Sequence, residues 1–115
     1  MLQYQSAPLD LAFQALSDPG RRAMVERLSF GPASVSELAR PLPMTLSAVV
    51  QHLKVLEEAG LVKSAKVGRV RTCTLEIRTM TEVERWVAER KRFWSQQYDQ
   101  LEAYLARTAP EGDDA

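Results

Sequence analysis

The chain has 115 residues, 45% hydrophobic and 26% charged, with 15 Lys/Arg against 15 Asp/Glu. This is the length of one domain and the composition of a soluble globular protein, which excludes wholesale disorder. The longest unbroken apolar run is four residues, Ala103 to Ala106, which excludes a membrane-spanning helix of about 20 residues.

Leu9 to Leu16 is a short helix candidate with Leu9, Phe13 and Leu16 on one side. Asp18-Pro19 reads as an N-cap followed by proline at the first helical position. The helix it opens is expected to run to about Phe30, with Met24, Val25 and Leu28 at core spacing and Gly31-Pro32 as its stop. Ser34-Val35-Ser36-Glu37 fits a capping box for a further short helix, ended by Pro41 and Pro43. Thr45 caps the next helix, which runs to Ala59 and stops at Gly60. Its apolar stripe is Leu46, Val49, Val50, Leu53 and Leu56. Ser47, Ala48, Gln51, Lys54 and Glu58 fall on the opposite face, with His52 at its flank.

Leu61 to Lys66 and Val70 to Leu75 are strand candidates joined at Val67-Gly68-Arg69. Thr81-Glu82-Val83-Glu84 resembles a second capping box, so a long helix is expected over 82–105, about 36 Å in length. Its stripe of Val83, Val87, Trp94, Tyr98, Leu101 and Leu105 is widened by Trp86, Phe93 and Tyr104. So long an aromatic face exceeds what one small core covers, which points to a second subunit. The acidic residues 110–115 are expected to form a disordered tail.

A zero net charge by itself argues against a nucleic-acid partner, but its distribution argues for one. Residues 1–75 hold nine Lys/Arg against six Asp/Glu, and residues 76–115 hold six against nine. The stretch Leu61 to Leu75 carries Lys63, Lys66, Arg69 and Arg71 and no acid. Two short helices joined by a proline-bearing turn, followed at once by a basic hairpin, make a mainly α winged helix-turn-helix with a small β-hairpin. Residues 1–109 are expected to form this single domain. The second helix of such a pair fits the DNA major groove, and the hairpin places cations near phosphates or a minor groove. The candidate DNA-binding residues are therefore Thr45, Ser47, Ala48, Gln51, His52, Lys54, Lys66, Arg69 and Arg71. Lys63 is a weaker candidate because it sits near the helix end.

The segments LSDPGRRAMVERL (16–28), SVSELARPLPMTLSAVVQHLKVLEEAGLV (34–62) and VGRVRTCTL (67–75) resemble the ArsR-type transcriptional regulators. The tail RFWSQQYDQLEAYL (92–105) resembles the terminal dimerisation helix of the metal-free members. With one cysteine, a cytoplasmic chain is the expectation; the resemblance implies a homodimeric repressor that binds an inverted repeat of double-stranded DNA and releases it to an inducer, a small molecule being one candidate. It places the dimer interface on the first and last helices, with Leu9, Phe13, Trp86, Phe93, Trp94, Tyr98 and Leu101 as its candidate residues.

Two positions depart from the family pattern. Residues 36–42 read SELARPL, with no Cys or His, and residues 80–105 contain no His. The family's metal ligands are therefore missing, and no metal or cofactor is expected. Val50-Gln51 stands where a Ser-Lys or Ser-Arg pair is common, so an adenine contact by Gln51 replaces a cationic one.

His52 is the one histidine, and a helix position held by packing or a hydrogen bond is its simpler reading. Cys73 is the one cysteine; it forms no internal disulfide and reads as a buried thiol more readily than as a redox sensor. The chain has no G-x-S-x-G, Walker loop, G-x-G-x-x-G or H-E-x-x-H motif, so no catalytic residue is expected. The alternatives are a winged-helix module that binds proteins instead of DNA, and a sensor using the aromatic seam or Cys73.

Overall fold

The computed structural model describes residues 7–109. Their order is α1 (Ala7–Leu16), α2 (Pro19–Leu28), β1 (Ala33–Ser34), α3 (Val35–Ala39), α4 (Leu46–Glu58), β2 (Val62–Val67), β3 (Val70–Leu75) and α5 (Ile77–Thr108). Contacts divide the chain into two units, and the division falls within α5, between Val83 and Glu84.

In the first unit the helix starts follow their caps. Asp18 Oδ2 accepts from the Arg21 backbone N–H at 3.0 Å. Ser34 Oγ accepts from Glu37 N–H at 3.1 Å, and Glu37 Oε1 accepts from Ser34 N–H at 2.8 Å, which completes the expected capping box. Thr45 Oγ1 accepts from Ala48 N–H at 3.1 Å. Each such cap satisfies an N–H that the helix itself leaves free, and removing one costs about 1 kcal/mol.

The core joins Met24, Val25 and Leu28 of α2, Leu38 of α3, Val49, Leu53 and Leu56 of α4, and Leu61, Val62 and Cys73 of the segment beyond α4. No polar or charged side chain is buried among the described residues. From α1 it is Ala12 and Ala15 that are fully buried, while Leu11 and Phe13 lie on the exposed side. The small alanines let α1 pack closely and leave the larger residues outward.

Four expectations change. First, the sheet has three strands, in the order β1-β3-β2. β1 pairs antiparallel with β3 through Ala33↔Cys73 and Ser34↔Thr72. Two residues are too short to show any hydropathy period, so this strand exists through its partner alone. Second, α5 starts at Ile77 rather than at the capping box over 81–84. Thr81 is inside the helix, where its Oγ1 donates to the Ile77 carbonyl at 3.0 Å. Met80, one residue before it, packs against the core and holds that first turn in the helix. Third, Leu46 and Val50 are exposed, so the buried stripe of α4 is Val49, Leu53 and Leu56 alone. Fourth, α2 ends at Leu28, two residues before Phe30, which is left exposed. The proposed tail over 110–115 lies outside the described residues.

In the second unit, α5 continues to Thr108 and none of its residues is buried. Phe93, Trp94, Tyr98, Leu101, Tyr104 and Leu105 are all more than half exposed. The Trp94 and Tyr98 rings sit 6.3 Å apart, and the Arg90 guanidinium stacks 5.3 Å over the Trp86 ring. Among the described residues no helix is long and apolar enough to cross a membrane.

Candidate DNA-binding surface

The surface is built outward from α4. Burial of Val49, Leu53 and Leu56 fixes which side of the helix faces the core. Ser47, Gln51 and Lys54 follow one another at steps of four and three residues, so they share the opposite face, and all three are exposed. Ala48 is half-buried beside them, and the capping Thr45 is exposed at the helix start. The face is small and polar where it would meet base edges.

The wing follows at once. Six residue pairs join β2 to β3, from Val62↔Leu75 to Val67↔Val70, and Lys66 lies directly opposite Arg71. Gly68 and Arg69 form the two-residue turn between them. Gly68 has φ +65°, the positive value that a tight hairpin of this kind requires at its first position. Lys66, Arg69 and Arg71 are exposed. An open groove of about 640 Å³ runs between α3, α4 and the wing. Its apolar lining is Val35, Val50 and Leu53, and its charged lining is Lys54, Glu57, Lys66 and Arg71.

Two cations of the basic stretch are already engaged. Lys63 Nζ lies 3.3 Å from Glu76 Oε2, and that hydrogen bond holds the Glu76 carboxyl below the usual carboxylate range. Arg71 Nη1 donates to Ser64 Oγ at 2.8 Å, and Ser64 Oγ donates to Glu57 Oε2 at 2.9 Å. The stretch 61–75 itself carries no acid, but a serine bridges Arg71 to Glu57 of α4. The residues are seven apart along the chain in each step: the pairing of β2 with β3 brings Arg71 to Ser64, and the packing of α4 against β2 brings Ser64 to Glu57.

His52 is half-buried. Arg21 Nη1 lies 3.2 Å from His52 Nδ1. Arginine only donates, so Nδ1 accepts and the ring proton sits on Nε2. Asp18 Oδ2 is 3.7 Å from that Nε2. The Asp18 carboxyl is held below its usual range, chiefly by the Arg21 backbone N–H, with the Arg21 charge adding to it. Arg21 also donates from Nε to the Ala15 carbonyl at 2.7 Å, and Arg22 Nη1 donates to the Leu16 carbonyl at 2.8 Å. These arginines satisfy carbonyls that α1 leaves open at its end. One side chain, Arg21, thus links α1, α2 and α4. The sequence reading missed it; its only signal was its place three residues after the capping Asp18.

Cys73 is fully buried on β3, and burial pushes its thiol pKa up, with the Glu57 charge adding to that and Arg71 opposing it. Among the described residues no group of three or more His, Cys, Asp or Glu is placed to hold a metal ion.

The comparisons agree with this geometry. A helix-turn-helix domain family matches residues 16–65. The HTH-type transcriptional regulator Rv2034 of Mycobacterium tuberculosis is 43% identical over 105 residues, 91% of this chain and 92% of that protein. The crystal structure of the ArsR family transcriptional regulator RHA00566 matches at 49% identity with a TM-score of 0.73, covering 76% of this chain and 97% of that one. The homodimeric winged helix-turn-helix DNA-binding domain Mb0332 of Mycobacterium bovis matches at 19% identity and a TM-score of 0.59, over 86% of this chain and 95% of that one, a likeness of fold. Near-complete coverage at over 40% identity, a matching helix-turn-helix segment and an exposed polar helix beside a basic wing lead to one conclusion: the chain belongs to the ArsR family of winged helix-turn-helix transcriptional regulators, and it is a DNA-binding regulator.

Proposed function

We propose that two copies of the chain form a cytoplasmic repressor that occupies an inverted-repeat operator. The observation that carries this reading is the exposed polar face of α4, set beside an exposed cationic wing within one compact unit. Thr45, Ser47, Ala48 and Gln51 face base edges in the major groove, with Gln51 suited to adenine. Lys54, Lys66, Arg69 and Arg71 meet phosphates or the adjacent minor groove. His52, one turn beyond Ala48, stays with Arg21 and braces α4 against α2. A second copy covers the aromatic face of α5, from Trp86 and Phe93 through Trp94 and Tyr98 to Leu101, and separately the outward face of α1 at Leu9 and Phe13. The Mb0332 domain, which shares the fold, is itself homodimeric.

Selection of randomised duplexes by the purified protein tests this reading. An enriched inverted repeat with half-site centres about 10 base pairs apart is expected, as two-fold docking on one side of the duplex requires. Four cations in each of two subunits give a log–log salt slope of about −7. Replacing Arg69 and Arg71 together by alanine flattens that slope by up to about four. A folded dimer that enriches no sequence and shows no salt dependence refutes the proposal and favours a protein-binding module.

A further inference from the structure

Glu57 is the one acid lining the groove between α4 and the wing, among Lys54, Lys66 and Arg71. It lies on the last turn of α4 and is exposed. Its carboxylate is not placed at random among those cations. Ser64 Oγ gives its single proton to Glu57 Oε2 at 2.9 Å, and its lone pair receives Arg71 Nη1 at 2.8 Å. The chain of donors therefore runs one way, from the guanidinium through the hydroxyl to the carboxylate, and each bond strengthens the next. Arg71 is thereby held along the wing in the free protein. Arg69 is also exposed but has no such tether among the described residues.

We propose that Glu57, acting through Ser64, competes with DNA phosphate for Arg71 and so limits how tightly the wing grips any duplex. The proposal rests on the reading of the wing as a phosphate-binding element. A phosphate that draws Arg71 away from the wing must break the serine bridge, and it also meets the Glu57 charge. Both effects oppose binding without regard to base sequence. Glu57 is accordingly a positioning residue, one that sets affinity and salt dependence without touching a base.

Quantitative binding to one duplex over a salt series, with the full-length chain, tests this. Glu57→Gln keeps the side-chain size and removes the charge. It is expected to tighten binding by about two- to fivefold per subunit, the scale of an exposed ion pair, so about tenfold for a dimer. In an Arg71→Ala background the same change is expected to give less than about twofold, because the competed group is gone. Ser64→Ala leaves every charge in place and breaks the bridge; it too is expected to tighten binding. Circular dichroism confirms that each variant is folded.

The outcomes separate cleanly. If wild type binds with a steep salt slope and Glu57→Gln binds equally or more weakly, Glu57 is no competitor and the wing assignment stands. A gain that persists in full without Arg71, or a Ser64→Ala variant identical to wild type, reduces Glu57 to general repulsion and overturns the competition. If wild type shows no salt-dependent binding, the phosphate-binding wing is refuted, and this proposal falls with it.

Discussion

Replacing Trp94 by alanine probes the proposed dimer at its largest exposed side chain. Trp94 is 68% exposed and lies in the second unit, outside the core cluster of the first. A tryptophan buries about 150–250 Å² when fully covered, so covering its exposed part removes about 100–170 Å² from water. At about 25 cal/mol per Å² this is worth about 2.5–4 kcal/mol in each subunit. A two-fold interface uses the residue twice, for about 5–8 kcal/mol per dimer. Ordering costs and imperfect covering take back about half, which leaves a rise in dimer Kd of about 10²- to 10³-fold. Sedimentation equilibrium over a concentration series measures this directly. Because the core holds no contribution from Trp94, the thermal transition of the folded first unit is expected to survive the change. A Trp94→Ala protein with the Kd of wild type refutes the assignment of this face. Wild type that remains monomeric at about 10 µM removes its premise.

Three further outcomes follow from local geometry. Gly60 has φ +75°, and a Cβ there would lie 3.0 Å from Thr79 Oγ1. Gly60→Ala is expected to cost about 1–3 kcal/mol, read by chemical denaturation. Gly68→Ala, at φ +65° with open space around it, is expected to cost less; equal losses would refute the role of Thr79. Asp18 has a folded pKa below its ordinary value, led by its hydrogen bond from the Arg21 backbone. Its stabilising contribution is therefore full above the ordinary carboxylate pKa and is lost as pH falls through the depressed one. Asp18→Asn is expected to lower stability at neutral pH and to converge on wild type in strong acid; a constant gap across pH would refute the linkage. The buried Cys73 is expected to react with a thiol reagent about 10²-fold more slowly in the native protein than after unfolding. Rapid labelling of the native state, or loss of DNA binding in peroxide that Cys73→Ser prevents, would reinstate the redox sensor.

The sequence by itself determined the elements whose signals are local. Asp18-Pro19, Ser34 to Glu37 and Thr45 start helices because a side-chain oxygen three residues back reaches an unpaired N–H, and that geometry needs nothing beyond its own turn. The hairpin turn at Gly68 is legible for the same reason. The exposed positions of α4 were legible too, since a helix with one apolar stripe has an opposite face. Tertiary structure decided what depends on partners distant in the chain. The capping box at Thr81 was overridden because packing of the preceding turn carries the helix back to Ile77. β1 formed because β3 offered it an edge. Val50 was read as core, yet it lines the groove, since three residues of α4 suffice to meet the sheet and helices beneath. His52 was drawn to Arg21, 31 residues away, and Arg71 to Glu57 through Ser64. No spacing rule announces such pairs, because their partners are neighbours only after α4 has packed. The sequence thus marked the polar faces of α4 and the wing, and packing decided which of their side chains are already engaged.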